Sequence, residues 1–199
     1  MEKGFTIWFT GVPASGKSTI GTEVEKILRG RGLKVENLDA DDVRQNLSPD
    51  LKWSKADRDL NTKRLTFIAK LLSRNGVAVI IAAAASYREF RDRARREIDN
   101  FVEAWVNCSL EECKQRDPKG LYARGERGEV NDIEGWHQPY EEPLNAELVL
   151  ETEQYSVDEC AAQVIAKLEE LGYIVPSDDV YSAEDEAKVE ERLRGLGYI

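Results

Sequence analysis

The chain has 199 residues, 33% of them charged and 41% hydrophobic, which is the balance of one folded domain with a full core rather than of a disordered segment. Its formal net charge of -10 excludes a general nucleic-acid or anionic-membrane surface, so a site for an anionic ligand must gather its positive charge locally. The three cysteines, Cys108, Cys113 and Cys160, form no CxxC pair and are odd in number, which predicts reduced thiols and a cytoplasmic setting instead of a disulfide framework.

Strand-like and helix-like segments alternate along the chain. The β-branched and aromatic run 5–10 predicts a buried strand, and Ile20, Val24, Ile27 and Leu28 predict a helix over 19–29. Between them residues 11–18 read Gly-Val-Pro-Ala-Ser-Gly-Lys-Ser, a match to the phosphate-binding loop GxxxxGK[ST]. Gly11 and Gly16 free the backbone to wrap phosphate oxygens, while Pro13, Ala14, Ser15 and Thr19 complete the cradle. Lys17 then reaches the terminal phosphates of ATP, and the Ser18 hydroxyl faces Mg2+.

A second strand is predicted over 33–38, a short helix over 39–47, and a longer helix over 54–74 opened by Ser54 with Asp57 three residues on. The continuous apolar run 77–82 predicts a third strand inside a parallel sheet. A basic helix over 87–98, a strand over 101–106 and a helix over 109–116 follow. Residues 117–143 carry no clean period and several prolines and glycines, as a functional lid would. A short strand over 147–150 and a helix over 157–171 close the core. The alternation predicts an α/β three-layer sandwich of the P-loop NTPase type, with a mostly parallel five-stranded sheet, helices on both faces and a lid at about 118–143. Residues 1–174 read as the P-loop domain and 175–199 as an acidic appendage, either a docking tail or a solubilising one.

Asp39, Asp41 and Asp42 stand at the carboxyl end of the second strand, where open α/β sheets bind ligands. A carboxylate there can accept a hydroxyl proton or hold Mg2+ through water. The third strand ends in four alanines, 82–85, with no acid in the usual Walker B place, which suits a small-molecule kinase that takes its carboxylate from another strand.

At this point the chain resembles the adenylylsulfate kinase family across residues 4–174. The family's Asp-Gly-Asp-x-x-Arg is similar to Asp39-Ala40-Asp41-Asp42-Val43-Arg44, and its Phe-Ser-x-x-Asp-Arg-x-x-Asn to residues 53–61. The resemblance implies an ATP- and Mg2+-dependent transfer to the 3′-hydroxyl of adenosine 5′-phosphosulfate. It implies Asp41 as the base and, with Ser18, a metal contact, and Asp39 and Arg44 as substrate-positioning groups. It further implies Trp53 stacked on adenine, and Arg58, Asn61, Tyr87 and Arg88 on the sulfonucleotide. Lys119, in the Lys-Gly-Leu-Tyr that opens the lid, would stabilise the transferring group, Leu121 and Ile133 would line the acceptor side, and Arg124 and Arg127 would serve ATP. A homodimer and functional coupling to an ATP sulfurylase are implied by the family alone, with no nucleic-acid and no membrane partner.

The chain also departs from the pattern. Ser-Pro-Tyr-Arg becomes Ala85-Ser86-Tyr87-Arg88, the lid's Ala-Arg-x-Gly-Glu becomes residues 125–129 with Glu126 at the basic position, and Phe-Thr-Gly-Ile-Asp becomes Ile133-Glu134-Gly135-Trp136-His137, with Trp136 a substitute for the lost aromatic. These changes touch acceptor-facing segments, so a kinase of another nucleotide-like acceptor, such as a cytidine diphosphate derivative, is the rival reading, and a non-catalytic nucleotide-responsive module a third. Arg91 and Arg95 read as surface charge and His137 as incidental.

Overall fold

The computed structural model describes residues 4–176 and Arg194. The strands are β1 (Phe5–Thr10), β2 (Val35–Asp39), β3 (Ala78–Ala82), β4 (Phe101–Asn107) and β5 (Leu148–Glu151). They form one sheet in the order β2-β3-β1-β4-β5, and every pairing is parallel. The helices are α1 (Lys17–Gly30), α2 (Ala40–Leu47), α3 (Lys55–Ser73), α4 (Arg88–Glu97), α5 (Leu110–Arg116), α6 (Leu121–Glu126) and α7 (Val157–Glu170).

Period-two alternation in β1 divides the core. Phe5, Ile7 and Phe9 point to one face and pack with Val24 and Leu28 of α1 and Ala161, Val164 and Leu168 of α7. Trp8 points to the other, with Leu65 and Ala69 of α3 and Ala94 of α4. Each fully buried aliphatic or aromatic side chain of this kind contributes about 1.5–3 kcal/mol of transfer free energy. All six residues of β1 are buried because both faces of the central strand are covered. Chain order reverses around β1, with β3 on one side and β4 on the other, so the loop that follows it opens at the sheet's switch point.

Helix starts follow the side-chain caps. Ser54 Oγ accepts from the Asp57 amide, Ser109 Oγ from the Glu112 amide, and Ser156 with Glu159 forms a full capping box. Within 117–143, where sequence periodicity predicts no element, a short α6 forms because both Asp117 carboxylate oxygens accept amides, of Tyr122 at 3.1 Å and Ala123 at 2.9 Å. The 175–199 appendage lies almost wholly outside the described residues. Among the described residues no helix is long and apolar enough to cross a membrane.

Two expectations are corrected. Arg91 is only 1% exposed: its Nε meets Glu103 Oε1 at 2.6 Å, and its terminal nitrogens donate to the carbonyls of Ala85 and Glu141. Arg95 pairs with Glu103 at 3.0 Å and with Glu147. Neither is loose surface charge, because β4 places a glutamate directly under α4.

Candidate active site

The loop after β1 has the shape its sequence demands. Gly11 takes φ +150, and a Cβ there would lie 2.6 Å from the Val106 carbonyl, so no other residue fits. Ala14 and Gly16 also take positive φ, turning successive amides inward ahead of α1. The Ser15 hydroxyl is buried without a partner, which marks a polar cavity shaped for an anion's oxygens. The loop therefore fits a nucleotide triphosphate. Lys17 folds back on it, donating to the carbonyls of Gly11 at 3.0 Å and Val12 at 2.7 Å. Burial pushes the Lys17 pKa down to about 8, opposed by the negative charges of Glu134, Asp39 and Asp41.

Register brings the carboxylates in from β2. Asp39 lies opposite Ala82 of β3, so the missing acid at the end of β3 is supplied one strand over. The oxygen donor beside Ser18 is Asp39, whose Oδ2 accepts from Ser18 Oγ at 2.5 Å. Asp41, which the sequence reading pairs with Ser18, stands two residues on, in the first turn of α2, and meets Lys119 Nζ instead. The second Asp39 oxygen caps α2 by accepting the Asp41 amide at 2.9 Å. A hydroxyl and a carboxylate are the hard donors Mg2+ takes alongside phosphate oxygens, so the pair fits that ion. Among the described residues no three His, Cys, Asp or Glu side chains cluster into a metal cage.

The lid rests on the loop. Tyr122 Oη donates to the Pro13 carbonyl at 2.9 Å, and Tyr140 Oη meets Thr10 Oγ1 at 3.0 Å. Ile133 is 2% exposed, in a small core with Tyr122, Cys113 and Leu121 and with Val12 and Ala14 of the loop. It is a lid anchor in this arrangement and presents no open stacking face. Trp136 leans on Tyr122 and stacks on His137 at 4.2 Å between ring centres. Arg124 and Arg127 are exposed, both paired with Glu129.

Among the residues expected to seat the acceptor, Trp53 is 49% exposed with the Arg44 guanidinium 3.9 Å over its ring. Asn61 is 8% exposed and its Oδ1 has no partner. Arg58 donates to the Trp53 carbonyl at 3.0 Å, to the Asp132 carbonyl at 2.7 Å and to Glu134. Arg88 holds the lid's far end, donating from Nε to the Glu142 carbonyl at 2.7 Å and from its amide to Glu141. Tyr87 packs beside it on Phe90, with Lys55 over its ring. Sequence reading assigns no site role to Glu134, Tyr122, Tyr140 or Arg91, although Tyr122 and Tyr140 fall within motifs that match the family. The available signal at Glu134 was a charge standing in a loop whose pattern otherwise asks for threonine.

A strand, a phosphate loop at the switch point, carboxylates from the next strand but one and a segment folded across the loop define a P-loop phosphotransferase. The model of the adenylylsulphate kinase family matches residues 3–151, and the chain belongs to that family. It is 45% identical over 179 residues to the adenylyl-sulfate kinase of Halothermothrix orenii, covering 90% of this chain and 97% of that one. The corresponding enzyme of a Picosynechococcus species is 46% identical over 175 residues, covering 88% and 99%. Among solved structures, the Mycobacterium tuberculosis APS kinase CysC in complex with AMPPNP and APS superposes with a TM-score of 0.82 at 40% identity, covering 85% of this chain and 99% of that one.

Proposed function

We propose that this chain transfers the γ-phosphoryl group of ATP to the 3′-hydroxyl of adenosine 5′-phosphosulfate, giving ADP and 3′-phosphoadenosine 5′-phosphosulfate. The observation that carries the mechanism is the Lys119–Asp41 ion pair, which joins the lid's first turn to α2 beside the Ser18–Asp39 pair. Loop amides and Lys17 hold the triphosphate, and Ser18 and Asp39 offer the oxygens for Mg2+. That ion, when bound, neutralises charge on the β- and γ-phosphates. Trp53, Arg58 and Asn61 seat the acceptor. Asp41 takes the proton of the 3′-hydroxyl as its oxygen bonds to the γ-phosphorus and the bond to the bridging oxygen of ADP breaks. Lys119, released from Asp41, faces the charge on the transferring group. Arg124 and Arg127 serve the nucleotide only after leaving Glu129.

Coupled ADP release over a panel of acceptors tests the assignment. Turnover with adenylylsulfate is the expected result, and turnover confined to a cytidine diphosphate derivative would reject the acceptor. Asp41→Asn is expected to lower kcat by about 10²- to 10⁴-fold with little change in the KM for ATP; unaltered turnover would remove Asp41 as the base. The lowered Lys17 pKa has a separate consequence. Above about pH 8 the free enzyme carries a neutral Lys17, so charging it against bound ATP takes a proton up from solvent. Calorimetric affinity for ATP is expected to fall as pH rises from 7 to 9, with proton uptake seen in buffers of different ionisation enthalpy; a flat profile would contradict the assignment.

Assembly and setting belong to the same proposal. Among known proteins, a probable bifunctional SAT/APS kinase of Sorangium cellulosum is 43% identical over 171 residues, which make up 29% of its length. A hexameric APS kinase of Thiobacillus denitrificans has a TM-score of 0.67. These support self-association, in which a homodimer is the simplest form, and coupling to an ATP sulfurylase that supplies the acceptor. Cys108, Cys113 and Cys160 are all unpaired, which supports a reducing, cytoplasmic setting.

A further inference from the structure

Residues 133–138 form a tight turn in which the amides of Trp136, His137 and Gln138 converge on the Ile133 carbonyl. The turn lies flat against the phosphate loop. Gly135 takes φ +80, and a Cβ there would stand 2.4 Å from Val12 Cγ1. With Ile133 buried on one side and Gly135 against Val12 on the other, the residue between them has little choice of direction. Glu134 is thereby aimed at α3, where its Oε1 meets the Arg58 guanidinium and accepts from Ser86 Oγ at 2.9 Å. The two charged side chains are 11% and 16% exposed, so water screens the pair weakly. The same carboxylate is the strongest negative charge acting on Lys17 and also acts on Arg44. A single internal anion therefore sits among the cations of both substrate subsites.

We propose that Glu134 occupies the anion seat of the acceptor: in the empty enzyme its carboxylate holds Arg58, and the anionic group of an incoming acceptor must displace it, so that Glu134 sets acceptor affinity and disfavours weakly held anions. The inference rests on the assignment of Arg58 to the acceptor. Breaking a largely enclosed ion pair consumes part of the acceptor's own binding energy, which appears as a raised KM. Gln at this position keeps the shape and the hydrogen bonds to Arg58 and Ser86 but removes the competing charge. Ser86→Ala, which removes one hydrogen bond that steadies the carboxylate, acts in the same direction.

Glu134→Gln is expected to lower the KM for adenylylsulfate about tenfold, the change falling on KM rather than on kcat, with a smaller drop for Ser86→Ala. Calorimetric binding of adenylylsulfate to the same proteins is expected to tighten in parallel. A structural role for the ion pair predicts the opposite sign, since loosening the lid raises KM. Wild-type turnover of adenylylsulfate with an unchanged or raised KM in Glu134→Gln would overturn the inference and leave the function standing. Tighter binding of adenylylsulfate by Glu134→Gln without wild-type turnover would uphold the seat and reject the acceptor assignment.

Discussion

Lys17→Met is expected to lower kcat by roughly a thousandfold while the protein remains folded. The side chain closes the phosphate loop with hydrogen bonds to two of its own carbonyls and is poised to exchange them for phosphate oxygens. Losing one preorganised cation at a charged transition state has an effect of this order. Stability is expected to move the other way. The folded-state pKa of Lys17 lies near 8, below its ordinary 10.5, so the charged form is disfavoured in the fold. That penalty is fully present below pH 8 and is relieved as pH rises from about 8 towards 10.5, where the unfolded chain binds more protons. Removing the ammonium removes the penalty, so the Tm at pH 7 is expected to hold or rise. A kcat within tenfold of the parent, or a clear fall in Tm, would contradict this account.

Arg91→Leu is expected to destabilise the protein by about 3–5 kcal/mol, measured as a shift in the urea midpoint. Arg91 is enclosed, and one guanidinium satisfies Glu103 on β4, the Ala85 carbonyl after β3 and the Glu141 carbonyl at the end of the lid. Leucine leaves Glu103 with Arg95 as its remaining cation. It also leaves two carbonyls without their donor. The Ala85 carbonyl belongs to a residue at φ +42, a conformation that side chains seldom adopt and that the surrounding bonds must hold. Since the lid's far end hangs from the same guanidinium, the KM for the acceptor is expected to rise in the surviving fold. Glu103→Leu combined with Arg91→Leu should recover only part of the loss, because the carbonyl partners stay unpaired. A shift of under 1 kcal/mol in the single variant would return Arg91 to the surface-charge role.

Much of the molecule was legible from the chain. The strands 5–10, 33–38, 77–82, 101–106 and 147–150 each fall within two residues of their observed limits; β1 and β3, buried along their whole length, were the plainest because a parallel strand covered on both faces carries few polar side chains. The phosphate loop was legible for a stronger reason: its glycines, lysine and serine are demanded by backbone shape and charge that no other residues supply. The carboxylates after β2 were legible as a group, but not their division of labour. Asp39 and Asp41 differ in position and partner: one caps α2 beside Ser18 while the other stands on its first turn and meets Lys119, and that depends on how β2 is aligned with β3. α6 escaped detection because six residues are too few to show a period, and its amides are satisfied by the side chain of Asp117.

Local pattern predicted the strands, their parallel sense and the phosphate-binding loop, since each depends on residues near one another in sequence, and the resemblance of several short motifs pointed to the kinase family. Tertiary structure alone decided which long-range charges meet. Arg91 and Arg95 share a helical face with Arg88, and nothing in their spacing announces that Glu103 lies beneath them; likewise Glu134 becomes a neighbour of Arg58 only when the lid folds over α3. An ion pair between segments dozens of residues apart leaves no periodic trace in either one, because its energy comes from burial at a junction that exists only once the whole chain has packed.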